Sequence, residues 1–80
     1  MSISKISPAQ IRAARELAKL SQTDVVALTG LSLSTIRRVE SERKVPASQE
    51  AIATIRAALE VAGVQFAGGR APGVRLRPKP

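Results

Sequence analysis

Arg37 and Arg38 stand side by side in Leu33-Ser34-Thr35-Ile36-Arg37-Arg38-Val39-Glu40-Ser41, a stretch whose apolar residues recur at helical spacing. At about 100° per residue, Ile36 and Val39 share one side of such a helix, with Thr35 at its margin. Ser34, Arg37, Arg38 and Ser41 fall opposite, and Leu33 lies at the N-terminal edge. The free face then carries two guanidinium groups, two hydroxyls and one aliphatic chain, with no acid at its centre. These groups suit the edges of base pairs. Arginine can donate to guanine O6 and N7 in a bidentate way, serine can bond several bases, and leucine can touch a thymine methyl. Arginine is also common on solvated helices, so the face gains meaning only from its surroundings.

Composition removes most other chemistry. Histidine and cysteine are absent from the 80 residues, which excludes disulfides, thiol nucleophiles, ordinary zinc sites and every imidazole-based catalytic scheme. With only six Asp plus Glu and no paired-carboxylate or nucleophile constellation, no enzyme, no metal and no cofactor are expected. Tryptophan and tyrosine are missing and Phe66 is the single aromatic, which argues against a binder that stacks unpaired bases. Thirteen Lys plus Arg give a net charge of +7, which calls for a polyanionic partner. Nucleic acid comes first, an acidic membrane or protein second. No apolar run approaches ~18 residues and no secretion signal opens the chain, so a cytoplasmic, nucleoid-associated protein is expected rather than a membrane one. A length of 80 residues with 44% apolar content fits one globular domain.

The elements that must carry the arginine face announce themselves by their caps. Ser7-Pro8-Ala9-Gln10 reads as an N-cap, a proline at the first helical position and a reciprocal Gln, with Ile6 and Ile11 as a hydrophobic staple. Ser21-Gln22-Thr23-Asp24 repeats the box between Leu20 and Val25. Ser32 stands at the same offsets between Leu31 and Ile36. The pattern predicts helices over 8–19, 22–29 and 33–41. Only Gly30-Leu31-Ser32 joins the last two, with Gly30 suited to a left-handed position, and a connection that tight is a helix-turn-helix signature. A plain helical hairpin within a small bundle has similar spacing.

Residues 42–47 form a loop stopped by Pro46, and Ser48 caps a fourth helix over 49–62 that Gly63 ends. The period then changes to two. Val64 and Phe66 flank Gln65, and Val74 and Leu76 alternate with Arg75 and Arg77, which predicts a β-hairpin or strand pair on either side of a Gly/Pro-rich turn. The fold class is thus mainly α, four helices with a short C-terminal β-hairpin. Residues 1–63 form the helix-turn-helix domain, and 64–80 a β-type dimerisation segment and basic tail with a frayed end at Pro78-Lys79-Pro80. At the start of the second helix, unpaired amides and the side chains of Gln22 and Thr23 can receive a phosphate oxygen. Ser41, Arg43 and Lys44, at and beyond the end of the third, are placed to meet the backbone across the groove.

Leu20-Ser21-Gln22-Thr23-Asp24-Val25-Val26, Thr29-Gly30-Leu31-Ser32 and Ser34-Thr35-Ile36-Arg37-Arg38-Val39-Glu40 together resemble the Cro-like, lambda-repressor-like (XRE) helix-turn-helix family over about residues 8–63. The resemblance implies a phosphate anchor at Gln22 and major-groove readers at Leu33, Ser34, Arg37 and Arg38. It further implies an ion pair between Arg15 and Glu40 that belongs to the scaffold. Two positions depart from the family pattern. Val26 stands where a small residue, most often alanine, is usual, and the segment 64–77 takes the place of a fifth helix, so the family's dimer surface does not carry over. Val64, Phe66, Val74 and Leu76 form an apolar face that must instead pack on the chain's own helices or across a two-fold on a second copy. The expected function is sequence-specific binding of double-stranded DNA by a small homodimeric transcriptional regulator of bacterial or phage type. The alternative is an antitoxin-like or anti-activator-like module that holds a partner protein through its C-terminal strands.

Overall fold

The computed structural model describes residues 6–41, 47–67 and 73–77; the Arg43, Lys44 and Pro46 loop, the hairpin turn and the Pro78-Lys79-Pro80 tail lie outside them. Four helices precede a two-stranded sheet: α1 (Pro8–Leu17), α2 (Gln22–Thr29), α3 (Leu33–Glu40), α4 (Gln49–Val61), β1 (Val64–Ala67) and β2 (Gly73–Leu76). The fold is mainly α with a C-terminal antiparallel hairpin, as the periodicities predict.

Every helix starts where its serine cap predicts. The Ser7 and Gln10 side chains bond each other's backbone amides at 3.1 and 3.0 Å, and Ser21 and Asp24 do the same at 3.0 and 2.8 Å. Ser32 accepts from the Thr35 amide and Ser48 from that of Ala51, each at 3.1 Å. α2 ends at Thr29 as expected, and the C-terminal ends of α1, α3 and α4 fall one or two residues short of expectation. α1 closes at Leu17 because Lys19 takes a left-handed φ of 60°, letting the Lys19 and Leu20 amides turn back to the carbonyls of Glu16 and Arg15. Ser41 and Ala62 cap α3 and α4 instead of extending them. Gly30 ends α2 at φ 76°, a backbone that disfavours any residue with a Cβ.

The core draws on all four helices and the first strand: Ile11, Ala14, Val25, Ile36, Val39, Ala51, Ile55, Leu59 and Val64. Val26 is half-buried at its margin, so the two extra methyl groups fit where the fold has room. β1 and β2 pair within one chain, Val64 opposite Leu76, Gln65 opposite Arg75, Phe66 opposite Val74 and Ala67 opposite Gly73. The hairpin leans on α1 and α4, and packing is continuous across residue 63. This answers where the apolar face goes. Val64 is 1% exposed, a core residue within the single chain. Phe66 and Val74 pack partly against the same core, and Leu76 remains 48% exposed.

One buried polar side chain ties the hairpin down. Gln10, besides closing its own cap, donates from Nε2 to the carbonyls of Ala67 at 3.0 Å and Gly73 at 3.2 Å. The first turn of α1 therefore clamps the last pair of the sheet, and the buried amide is satisfied at both ends.

Candidate nucleic-acid interface

Two things position α3. Ile36, Val39 and Glu40 bury its inner side, and Ser32 fixes its start. On the outer side Ser34, Arg37 and Arg38 are exposed, with Leu33 and Thr35 half-buried at the rim. Neither guanidinium has a hydrogen-bond or ion-pair partner among the described residues. Two free cations on neighbouring residues of a rigid helix face repel each other and hold no internal counter-charge. That arrangement is poised for an external anion or a base edge.

The inner end of α3 is held from α1. Glu40, 5% exposed, accepts from Arg15 Nε at 2.6 Å on one oxygen and from Arg15 Nη2 at 3.1 Å on the other. Arg15 also donates to the Leu20 carbonyl at 2.9 Å, which fastens the α1–α2 turn to the same group. The hydrogen bond to Glu40 raises the Arg15 pKa above its ordinary value, against the opposing effect of burial. The pair expected from the family resemblance is thus present, and its geometry is bidentate. Arg12, one turn earlier, donates to the Glu40 backbone carbonyl at 3.1 Å. This second arginine was not singled out by its sequence pattern; only its i, i+3 relation to Arg15 hints that both face the same neighbour.

Gln22 enters the same network. Its Nε2 donates to Glu40 Oε1 at 3.1 Å. A primary amide nitrogen carries two hydrogens, so one is committed to Glu40 and the other remains. The carboxylate thereby sets which way the amide is turned at the mouth of α2. Around it, the capping box uses the Ser21 and Asp24 amides, whereas those of Gln22 and Thr23 have no partner among the described residues. Two open amides, one spare amide hydrogen and the positive end of a helix dipole therefore meet at one point.

The remaining candidates separate. The Ser41 hydroxyl donates to the Arg38 carbonyl at 3.1 Å, so its proton serves the end of α3. Arg43 and Lys44 lie outside the described residues. Val64, Phe66, Val74 and Leu76 sit in and around the hairpin core, on a different part of the molecule from α3. Among the described residues no cluster of Asp or Glu could hold a metal ion, and no helix is long and apolar enough to cross a membrane.

A family model described as a helix-turn-helix domain matches residues 9–67, from the first turn of α1 to the end of β1. The chain belongs to this family, within the XRE/Cro-like group of helix-turn-helix proteins. The family is a non-enzymatic one whose partner is DNA. None of the curated proteins compared with the chain matches it.

Proposed function

We propose that the protein is a sequence-specific, double-stranded-DNA-binding transcriptional regulator that acts as a homodimer, in the cytoplasm and at the nucleoid. α3 enters the major groove, with Leu33, Ser34, Arg37 and Arg38 against base edges. Gln22 and Thr23 hold a phosphate at the start of α2, and Ser41, Arg43 and Lys44 follow the backbone beyond α3. The observation that carries this reading is the outer face of α3. Its two arginines have no partner among the described residues, whereas the Arg15, Gln22, Asp24 and Glu40 side chains nearby are bonded within the fold. Phosphate contacts supply affinity and orientation, and the α3 side chains supply discrimination.

One α3 spans only a few base pairs, so a useful operator needs two copies, with half-sites about one helical turn or roughly 34 Å apart. Selection of bound sequences from random duplex DNA tests the whole reading. Enrichment of a two-fold-symmetric motif with that spacing supports a dimeric regulator. A pool with no enriched motif after several rounds would remove sequence-specific regulation.

A further inference from the structure

The positive charge of the chain is not spread evenly. Through Gly63, nine basic side chains stand against six acidic ones, a surplus of three. The last 17 residues hold Arg70, Arg75, Arg77 and Lys79 with no acid, and supply the other four charges. More than half of the +7 therefore lies beyond the last helix, where the sequence offers no counter-charge. The hairpin that carries it is set apart from the α3 face. α1 and α4 each pack on α3 and on the hairpin, whereas the α2–α3 pair and the hairpin share no comparable packing among the described residues.

Arg75 in β2 and Arg77 just beyond it are exposed on the outer side of the hairpin, away from Val74, which packs toward the core. Arg75 Nε donates to Gln65 Oε1 at 2.8 Å, and Arg77 Nη2 donates to the Glu60 backbone carbonyl at 3.0 Å. Both acceptors are neutral oxygens, and neither arginine has an ion-pair partner among the described residues. The Glu60 carboxylate pairs with Arg56 instead, at 3.0 Å. A guanidinium has five N–H donors, so each side chain is aimed by one bond and keeps four donors and its charge. Two residues apart on a strand, the pair stands about 7 Å apart on one side of the sheet. A groove of about 580 Å³ opens beside them, lined also by Glu60, Gln65 and Phe66. The Arg56 guanidinium stands over the Phe66 ring, 5.6 Å from its centre, so that face of the ring is closed to a stacking base.

We propose that the outer side of the hairpin is a second, sequence-independent contact for duplex DNA, with Arg75 and Arg77 on phosphates of one strand. Guanidinium forks match phosphate oxygens in a bidentate way, and cations held at a fixed spacing suit a polyanion of regular repeat. The outer side offers two cations and one amide, which orient a backbone and read no base. An acidic protein would share the charge, but a protein interface needs an apolar centre. The exposed aliphatic of β2, Leu76, lies on the opposite side of the strand. Because α1 and α4 lie between the two sites, the second contact falls on a different duplex, or on a distant segment of the same one, from that held by α3. The protein then links two stretches of DNA. This goes beyond the regulator proposed above and rests on it only for the duplex at α3.

The test uses the full chain, its Arg75→Gln/Arg77→Gln variant, and a selected duplex fixed to beads. Protein is loaded, and a labelled duplex of unrelated sequence is offered at low salt. The expected variant keeps the parent's thermal midpoint, binds the selected duplex within about twofold, and captures at least about tenfold less of the second duplex. Equal capture by parent and variant overturns the proposal. So does a folded variant that loses the selected duplex along with the capture, because the hairpin then lies on the same site as α3. Displacement of the second duplex by poly-glutamate more readily than by unlabelled duplex of equal charge overturns it in favour of an acidic protein. A second arm is independent of sequence reading. In Arg37→Ala/Arg38→Ala, binding to random duplex should keep a steep salt dependence, and adding the hairpin substitutions should lower the log–log slope by about 1.8, or 0.9 for each arginine. That drop supports the hairpin contact even where selection enriches no motif, and an unchanged slope refutes it. Should the double substitution unfold the hairpin, Arg75→Gln alone, whose parent side chain bonds Gln65, gives half the change.

Discussion

The α2–α3 pair and the C-terminal hairpin are both too short to stand alone, and they are held by opposite means. α2 and α3 have eight residues each, below the length at which isolated helices persist in water. Serine caps at both starts, Gly30 between them and a buried carboxylate shared by Arg15 and Gln22 fix the pair. The hairpin has no ion pair between its strands. It depends on Val64 in the core, on the Gln10 amide across its far end, and on Arg77 reaching the Glu60 carbonyl at 3.0 Å. Arg56 adds a cation–π contact to Phe66, 5.6 Å from the ring centre. The unsatisfied groups differ accordingly. On the helix pair they are charged side chains, which suit a ligand read by charge and base edge. On the hairpin they are the outward backbone amides and carbonyls of Phe66, Val74 and Leu76, which carry no charge.

The contrast breaks most severely at Arg15. In Arg15→Ala the buried Glu40 charge loses its partner, at an expected cost of about 3–5 kcal/mol in chemical denaturation. Any folded fraction should keep the parent's base preferences, because the pair is scaffold. A variant with parental stability and changed base preference would make Arg15 a DNA contact instead. Val64→Ala probes the other region. Deleting the methyl groups of a fully buried valine should cost about 1.5–3 kcal/mol, seen as a lower unfolding midpoint for helices and strands together. If the helices keep the parental midpoint, the hairpin is an appendage and not part of one core. Removing the chain after Gly63 is a poorer probe of assembly, since it deletes a core residue along with the strands.

Smaller effects sharpen the difference within the helix pair. Arg38→Ala should weaken binding to the selected operator by about 1–3 kcal/mol and relax preference at one position in each half-site. Its thermal midpoint should not move, as the side chain is exposed and unpaired. Gln22→Ala should act more weakly and on all duplexes alike. Because the Gln22 amide is uncharged, its loss should lower affinity at every salt concentration and leave the log–log salt slope unchanged, which titrations at several salt concentrations resolve. A shift in base preference in that variant would move Gln22 from the phosphate to the bases.

Much of this was legible from the order of residues. Ser7 with Gln10, Ser21 with Asp24, and Ser32 between Leu31 and Ile36 announced three helix starts, because a cap and its staple join atoms only three to five residues apart. The exposed positions of Ser34, Arg37 and Arg38 followed from helical phase once Ile36 and Val39 were placed inside. The Arg15–Glu40 pair was reachable through family resemblance and not through spacing. The end of α1 was misjudged by two residues, since a lysine at a left-handed φ carries no mark of its own.

Local rules, acting over three or four residues, thus set the four helices, the tight turn at Gly30, the strand period of 64–76 and the basic character of the α3 face. Tertiary packing alone decided the rest. Gln10 finds its acceptors 57 and 63 residues away, and Arg12 meets a carbonyl at the far end of α3, 28 residues on. Val64 became core when the hairpin closed within the chain and laid one face on α1 and α4. Caps and periodicities are properties of a segment. Which face of a hairpin is buried depends on what the rest of the chain sets against it.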